Sequence, residues 1–330
     1  MNGNMEYERK IERKIENLIS RNNYLVGFYS FIGDKSISTI YTYLVYVNNF
    51  LDFINKIPNE LTIDDFSRYM LSIQKNEKGE RTTSSYRISV YSALKKYGLY
   101  LVASNQLPQN PMQYIDRPKA IDSQQTIAKR EIGYLSKKEI PTYISTVKHG
   151  AGSIRSRNRQ KEWKERDLAI VMIFLNTGIR CSALMKLDIN SVDFKNKTLV
   201  VTDKESMVTT YDLSDELLDI INNWLVKREE LMDKEYNEAM FISNRRQRMD
   251  QSSIARIVKK YSYVITEKHI TPHKLRATYG TQLYNETNDI YFVQRCMNHS
   301  NPKTTEIYIR GTQNTTKKAS DIMKNLTINN

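Results

Sequence analysis

Three prolines, Pro108, Pro111 and Pro118, followed by a polar run over residues 122–130, break this 330-residue chain about a third of the way along. Proline fixes φ, removes a backbone donor and biases the residue before it away from helix. Residues 117–132 therefore read as a linker, and the chain is long enough for a cored domain on each side. Before the linker, Leu44, Val47, Leu51 and Ile54 recur at three- and four-residue steps, the stripe of an amphipathic helix that Pro58 ends. Thr62 is placed to cap a second helix with Asp64 and Asp65 in its first turn. A third helix is expected from Thr83 to Val102, with Ile88, Tyr91, Leu94 and Leu101 facing one way. Ile11, Ile15 and Leu18 mark a short surface helix in an N-terminal extension, residues 1–22. The expected layout is this extension, a helical domain at 23–116, the linker at 117–132 and a second domain at 133–330.

The second domain mixes periods. Ser136 and Glu139 have the spacing of a capping box. Residues 148–166 carry seven Lys/Arg against two Glu, with Gly150 and Gly152, and read as a mobile loop. DLAIVMIFLNTG reads as a buried helix ended by Gly178. Two β-rich runs, 198–202 and 208–213, flank DKESM as a hairpin, and 240–243 suggests a further strand. Helices are expected at 216–233, 252–264, 271–286 and 289–297, and Ala319, Ile322, Met323 and Leu326 form a last helical stripe. The fold class is mainly α with a small β-sheet, a helical N-terminal domain followed by an α+β domain.

Composition narrows the partner. The formal net charge is +13, which favours a polyanion. No stretch approaches the 18 apolar residues of a membrane span, and the alternating charges of MNGNMEYERKIERKIENL are not those of a secretory signal. Cys181 and Cys296 are the only cysteines, which fits a reduced cytosol better than a disulfide framework. A cytoplasmic protein facing nucleic acid is expected, with no membrane contact.

Six residues then stand out: Arg180 in TGIRCSALMKL, Lys204 in VVTDKES, His273 and Arg276 in TPHKLRATYGTQL, and His299 and Tyr308 in MNHSNPKTTEIYI. Thr271 can cap a helix with Pro272 in its first turn. His273 and Arg276, three apart, then share a face near a helix N-terminus, where anions are favoured. A guanidinium grips two phosphate oxygens at once. An ammonium at a hairpin tip can give a proton to a leaving oxygen, and a phenol can attack phosphorus once its proton is taken. Each residue also has an ordinary reading, as a solvated arginine, a turn lysine or a packing tyrosine among 22 tyrosines. Zinc is not expected, because Pro272 separates His269 from His273 and neither a Cys pair nor HExxH is present. P-loop, GxGxxG and GxSxG motifs are missing too, and no cofactor is expected.

Together these segments resemble the tyrosine recombinases, the phage-integrase and Xer-type site-specific recombinases. TGIR is similar to the family's first arginine motif, HKLRATYGTQL to its His-x-x-Arg box, and MNHSNPKTTEIYI to its terminal segment with the nucleophilic tyrosine. MNHS stands where the family often has LGHS, and Ala183 where it often has a glutamate. The resemblance implies a SAM-like core-binding domain, weaker over 36–118, and a catalytic domain from about Tyr134 with a C-terminal exchange helix; the apolar stripe of that helix leaves it either docked on a neighbouring protomer or packed on its own domain. It implies that Tyr308 forms a 3′-phosphotyrosine, Arg180 and Arg276 hold the non-bridging oxygens, Lys204 protonates the 5′-oxygen, His273 shares the tyrosine proton and His299 bonds the phosphate. A homotetramer would join two duplexes with inverted-repeat core sites through a Holliday junction, and in the cell it would be associated with the nucleoid. Integration, excision or transposition of a mobile element is the expected role, favoured by a residue usage rich in Asn, Ile, Lys and Tyr. Xer-type dimer resolution, a type IB topoisomerase and a non-catalytic DNA-binding regulator are the alternatives. Candidate phosphate contacts are Lys95, Lys96, Arg155, Arg157, Arg159, Arg245, Arg246 and Arg248, with Ser84, Ser85 and Arg87 placed to read bases in the major groove.

Overall fold

The computed structural model describes residues 3–119, 133–202, 208–232, 237–265 and 268–298. The chain separates into two compact units, Met1–Ser123 and Gln124–Asn330. The first is helical throughout: α1 (Gly3–Arg21), α2 (Leu25–Phe31), α3 (Ile37–Ile54), α4 (Ile63–Ser72) and α5 (Ser84–Ala103). Leu25, Phe28, Leu44, Val47, Phe50, Phe66, Tyr97 and Leu101 are fully buried in its core. Edge-to-face contact of Phe28 on Tyr97, with ring centroids 5.1 Å apart, locks α2 onto α5. The N-terminal helix is a surface helix as expected, with its apolar stripe covered: Ile11 and Ile15 are buried and α1 packs along α3, while most other described positions stay exposed. Its apolar stripe is narrow, and only the partner reveals that it is covered. Helix α3 stops before Pro58, at Asn55 in the left-handed conformation. The prolines of 108–118 do not abolish regular structure, since Pro111–Tyr114 forms a 3-10 turn.

The cap expected at Thr62 is a full capping box. Thr62 accepts from the Asp65 N–H, and the Asp65 carboxylate takes the Thr62 N–H at 2.9 Å. Asp65 is buried and also accepts from Lys56 Nζ and Arg68 Nη2, each at 3.0 Å. Burial works against the charged form, but the Thr62 and Lys56 hydrogen bonds outweigh it and hold the carboxyl below its ordinary value.

The second unit is built around one apolar helix. Its elements are α6 (Glu139–His149), α7 (Ile154–Gln160), α8 (Lys164–Thr177), α9 (Cys181–Lys186), β1 (Val192–Asp193), β2 (Thr198–Thr202), β3 (Val208–Asp212), α10 (Asp215–Met232), α11 (Gln251–Lys260), α12 (Pro272–Thr287) and α13 (Ile290–Cys296). Ala169, Ile170, Val171, Ile173 and Phe174 of α8 are fully buried. Helices α6, α10, α11 and α12 pack around it. The sheet is antiparallel in the order β1-β2-β3, with Val201 opposite Thr209 and Thr202 opposite Val208.

Two expectations fail here. Residues 148–166 are not a loop: α7 and a 3-10 turn, Lys161–Trp163, fill the interval. Ser153 caps α7, Gln160 hydrogen-bonds both the N–H and the C=O of Ala151, and Trp163 is buried with the Arg166 guanidinium 4.4 Å above its ring. Gly150 and Gly152, both at positive φ, lead into α7, on which Arg155 and Arg157 are exposed, whereas Arg166 is buried. Residues 240–243 form no strand; isolated bridges join Asp188 to Ala239 and Ile242 to Arg248. Side chains occupy the carbonyls a neighbouring strand would need: Trp224 Nε1 donates to Met240 O, Arg228 Nε to Ala239 O and Arg166 Nη1 to Ile242 O.

The lowered pKa of Asp65 makes its stabilisation present above the unfolded-state pKa and lost as pH falls through the folded value. Asp65→Asn is expected to cost about 1–2 kcal/mol at neutral pH. The gap to the wild type should close as pH drops below about 4, as read from urea unfolding of the intact protein across pH. A gap independent of pH would contradict this.

Candidate active site and its surroundings

Helix α8 ends at Gly178, φ 61°, whose N–H returns to Phe174 O. A Cβ there would lie 2.3 Å from Tyr279 Cδ1, so both the backbone and the neighbouring ring demand glycine. Ile179 returns to the core, and Arg180 follows as the extended, half-exposed residue before α9. The Arg180 carbonyl takes the Ala183 and Leu184 N–H groups. A rigid apolar helix thus delivers Arg180 to the unit's surface from a fixed turn.

Helix α12 starts as its sequence predicts. Thr271 Oγ1 accepts from Lys274 N at 3.3 Å, and Pro272 occupies the first turn. His273 is exposed. Arg276, one turn on, is only 6% exposed. Its Nη1 donates to Gly178 O and its Nη2 to Met297 O, the latter at 2.5 Å. The guanidinium therefore joins the turn before Arg180 to the end of α13, two residues before His299. Behind these residues, burial and then Lys268 hold the Lys274 ammonium below its ordinary value.

A strap holds α12 in place. Leu135 N–H donates to Thr278 Oγ1 at 2.9 Å, and Gln282 Nε2 donates to Leu135 O at 3.0 Å. Lys268 Nζ reaches Tyr134 O at 2.9 Å and Glu139 Oε2 at 2.6 Å. Sequence reasoning missed Thr278 and Gln282. They lie on the same helix as the His-x-x-Arg box, but only the packing of residues 134–135 against α12 gives them a task. Lys204, His299 and Tyr308 lie outside the described residues, as does the expected stripe from Ala319 to Leu326. Lys204 falls in the five-residue connection between the paired Thr202 and Val208.

The basic residues divide by environment. Lys95 is exposed on α5, and Lys96 lies 4.7 Å from the Phe31 ring centroid. With Lys35, Arg117, Tyr43 and Ser92 they line an open cavity of about 380 Å³. Ser84 is half-buried and Ser85 exposed at the start of that helix. Arg87, expected to read bases, is only 8% exposed, and its buried Nε has no hydrogen-bond partner. Arg155 and Arg157 are exposed on α7, where Arg157 Nε donates to Gly152 O; the Arg159 side chain lies outside the described set. Arg245 and Arg246 are exposed in a tight turn. Arg248, expected on DNA, has internal partners instead: it donates to Met185 O and Leu187 O at 3.0 Å and pairs with Asp188, with 10% of its side chain exposed. Burial, then Asp250, pushes the Cys181 thiol up to about 12, so it stays protonated beside the arginine turn. Among the described residues no cluster of His, Cys, Asp or Glu could hold a metal ion, and no helix is long and apolar enough to cross a membrane.

An arginine at the end of a buried helix and a His-x-x-Arg box on a capped helix, joined through Arg276, form a candidate active site for DNA strand transfer. The family comparisons agree: the phage integrase family matches residues 134–315, and the phage integrase N-terminal SAM-like domain matches residues 30–101. The chain belongs to the phage integrase family of tyrosine-type site-specific DNA recombinases. It is 26% identical to the tyrosine recombinase XerC of Actinobacillus pleuropneumoniae over 217 residues, 66% of this chain and 64% of that protein. It is 25% identical to XerC of Thermodesulfovibrio yellowstonii over 292 residues, 86% of this chain and 90% of that one. Among solved structures, the XerH site-specific recombinase bound to palindromic difH substrate shares the fold with a TM-score of 0.69 at 17% identity, covering 88% of this chain and 81% of that one. The Tn1549 transposon integrase with transposon right end DNA gives 0.62 at 18%, covering 86% and 92%.

Gly178→Ala should strain a left-handed position and push the Tyr279 ring, costing more than about 1 kcal/mol. Because Gly178 O anchors Arg276, DNA cleavage should fall by a larger factor than DNA affinity. Unfolding midpoints, gel-shift titration and cleavage rates on the same variant check this.

Proposed function

We propose that this recombinase cuts and rejoins DNA through Tyr308 and serves the integration, excision or transposition of a mobile element. The Tyr308 oxygen attacks a scissile phosphorus, a 3′-phosphotyrosyl bond forms and the bond from phosphorus to the 5′-oxygen breaks. Lys204 gives the leaving 5′-oxygen its proton, while His273 takes or shares the proton of the phenol. Arg180 and Arg276 neutralise the charge that grows on the non-bridging oxygens, and His299 adds a hydrogen bond. Attack by a 5′-hydroxyl from the partner duplex reverses each step, so the ester keeps the bond energy and no nucleotide cofactor is needed. Phosphoryl transfer asks mainly for positioning and charge, which two guanidiniums and an ammonium supply. One observation supports this reading above the others: Arg276 ties the turn that carries Arg180 to the helix end that leads into His299.

In this reading the helical domain of residues 23–116 and the catalytic domain of 133–330, joined through 117–132, both contact DNA. Lys95, Lys96, Arg155, Arg157, Arg159, Arg245 and Arg246 neutralise phosphates, which makes binding fall steeply with salt. Ser84 and Ser85 open α5 towards the major groove. Arg87 and Arg248 are left out because both are largely buried. Four protomers act on two duplexes with inverted-repeat core sites. Xer-type dimer resolution is the second reading, favoured by the XerC relative that aligns with 86% of this chain. Sequencing the DNA held in covalent complexes recovered from host cells separates the two, since element ends support the first and one fixed chromosomal or plasmid locus the second.

A nicked duplex whose cleaved fragment diffuses away should trap a covalent protein–DNA adduct. Tyr308→Phe should abolish the adduct with DNA affinity retained, and Arg180→Ala should slow its formation by about 10²–10³. Binding without any adduct from the wild type would favour a regulator. Relaxation of supercoils lacking a specific site would favour a type IB topoisomerase.

A further inference from the structure

Asn298 stands where the family's terminal motif often has glycine. It is left-handed, φ 49°, and its N–H closes the end of α13 on Arg295 O. Glycine would supply that backbone and nothing else. Asparagine also reaches across the unit, and its Nδ2 donates to Thr209 Oγ1 at 2.6 Å. Thr209 is the second residue of β3, paired with Val201, one step from the Thr202–Val208 pair. Between that last pair run the five residues that include Lys204. Tyr211, two residues further and on the same half-buried face of β3, joins burial and Cys296 in raising the phenol pKa of Tyr279, the residue whose ring crowds Gly178. The inner face of the hairpin is thus fastened at Asn298, directly before His299.

We propose that Asn298 is a positioning residue for proton delivery: its tether to Thr209 fixes the base of the β2–β3 hairpin and so the reach of Lys204 to the leaving oxygen. This rests on the assignment of Lys204 as proton donor in the reading above. The step balances simply. As the bond from phosphorus to the 5′-oxygen breaks, a proton moves from Lys204 Nζ to that oxygen, and Nζ recovers a proton from the 5′-hydroxyl that attacks the phosphotyrosine. Losing the tether removes neither of the Arg276 hydrogen bonds but releases the base of the hairpin that leads to Lys204, and proton transfer demands hydrogen-bond distance.

The test uses the full-length protein and two versions of the nicked substrate. One carries the ordinary phosphodiester; in the other the bridging 5′-oxygen at the cleaved bond is sulfur, which leaves as a thiolate and needs no proton. Asn298→Gly keeps the left-handed backbone, and Thr209→Val removes the partner from the other side with little change in shape. Each should slow cleavage of the ordinary substrate by about tenfold and of the sulfur substrate by less than about twofold. The double variant should be no slower than either single one, as expected for two ends of one bond. Equal slowing on both substrates would mean a purely structural role and would overturn the proposal, as would no slowing on either. Lys204→Ala, run in parallel, separates the two levels. If sulfur rescues Lys204→Ala but not Asn298→Gly, the tether fails and the proton-donor assignment survives. If sulfur does not rescue Lys204→Ala, the assignment itself fails.

Discussion

The catalytic unit depends on a buried cation placed between two helix ends. The Arg276 guanidinium donates to the carbonyl of Gly178, where α8 stops, and to that of Met297, where α13 stops. Carbonyls at helix C-termini lack intrahelical partners and carry partial negative charge. A guanidinium buried between them meets two desolvated acceptors, and two desolvated acceptors meet a fixed charge; neither is stable there alone. The same contact joins two successive helices, α12 and α13, to a turn 98 residues upstream of Arg276. In the proposed function one side chain, Arg276, is both this anchor and a phosphate clamp.

The opposite end of α8 is fixed by a second charged centre. Asp167, fully buried, accepts from Arg166 Nε and Nη2, from Lys260 Nζ at 2.7 Å and from the Tyr261 hydroxyl at 2.6 Å. Two positive groups and a hydroxyl compensate a carboxylate that would otherwise be costly to bury. Arg166 in turn stacks on Trp163 and reaches Ile242 O. With both ends of the central helix anchored and α12 held by the strap from Tyr134 to Glu139, Arg180 rises from a support with little freedom. Catalysis by positioned charge needs such a support.

Local chemistry was readable in the chain itself. Thr62 and Thr271 cap helices because a side-chain oxygen next to a helix start satisfies an orphan N–H whatever surrounds it. Gly178 ends α8 because only glycine takes that conformation without strain. The hairpin at 198–202 and 208–212 followed from β-branched residues on both sides of a polar connection. Residues 148–166 misled because charge density resembles a loop, while the bonds that make them helical, Gln160 to Ala151 and Trp163 into the core, involve neighbours whose placement no periodicity announces. The strand expected at 240–243 had the right residues, but Trp224 and Arg228, from α10, claim its carbonyls.

The identity and order of the candidate reactive groups, the capped helix under the His-x-x-Arg box, the glycine turn before Arg180 and the basic surplus that favours a polyanion were all legible in the sequence, since each depends on residue type and spacing. The fold alone decided which cations remain available to a polyanion. Arg87 and Arg248 look the same in the chain as Arg155 and Arg245, yet the first two are drawn inside and the last two stay on the surface. A guanidinium has no preference written into its own sequence. Whether it meets water and phosphate or the carbonyls of a distant helix depends on which backbone ends the packed core brings within 3 Å of it.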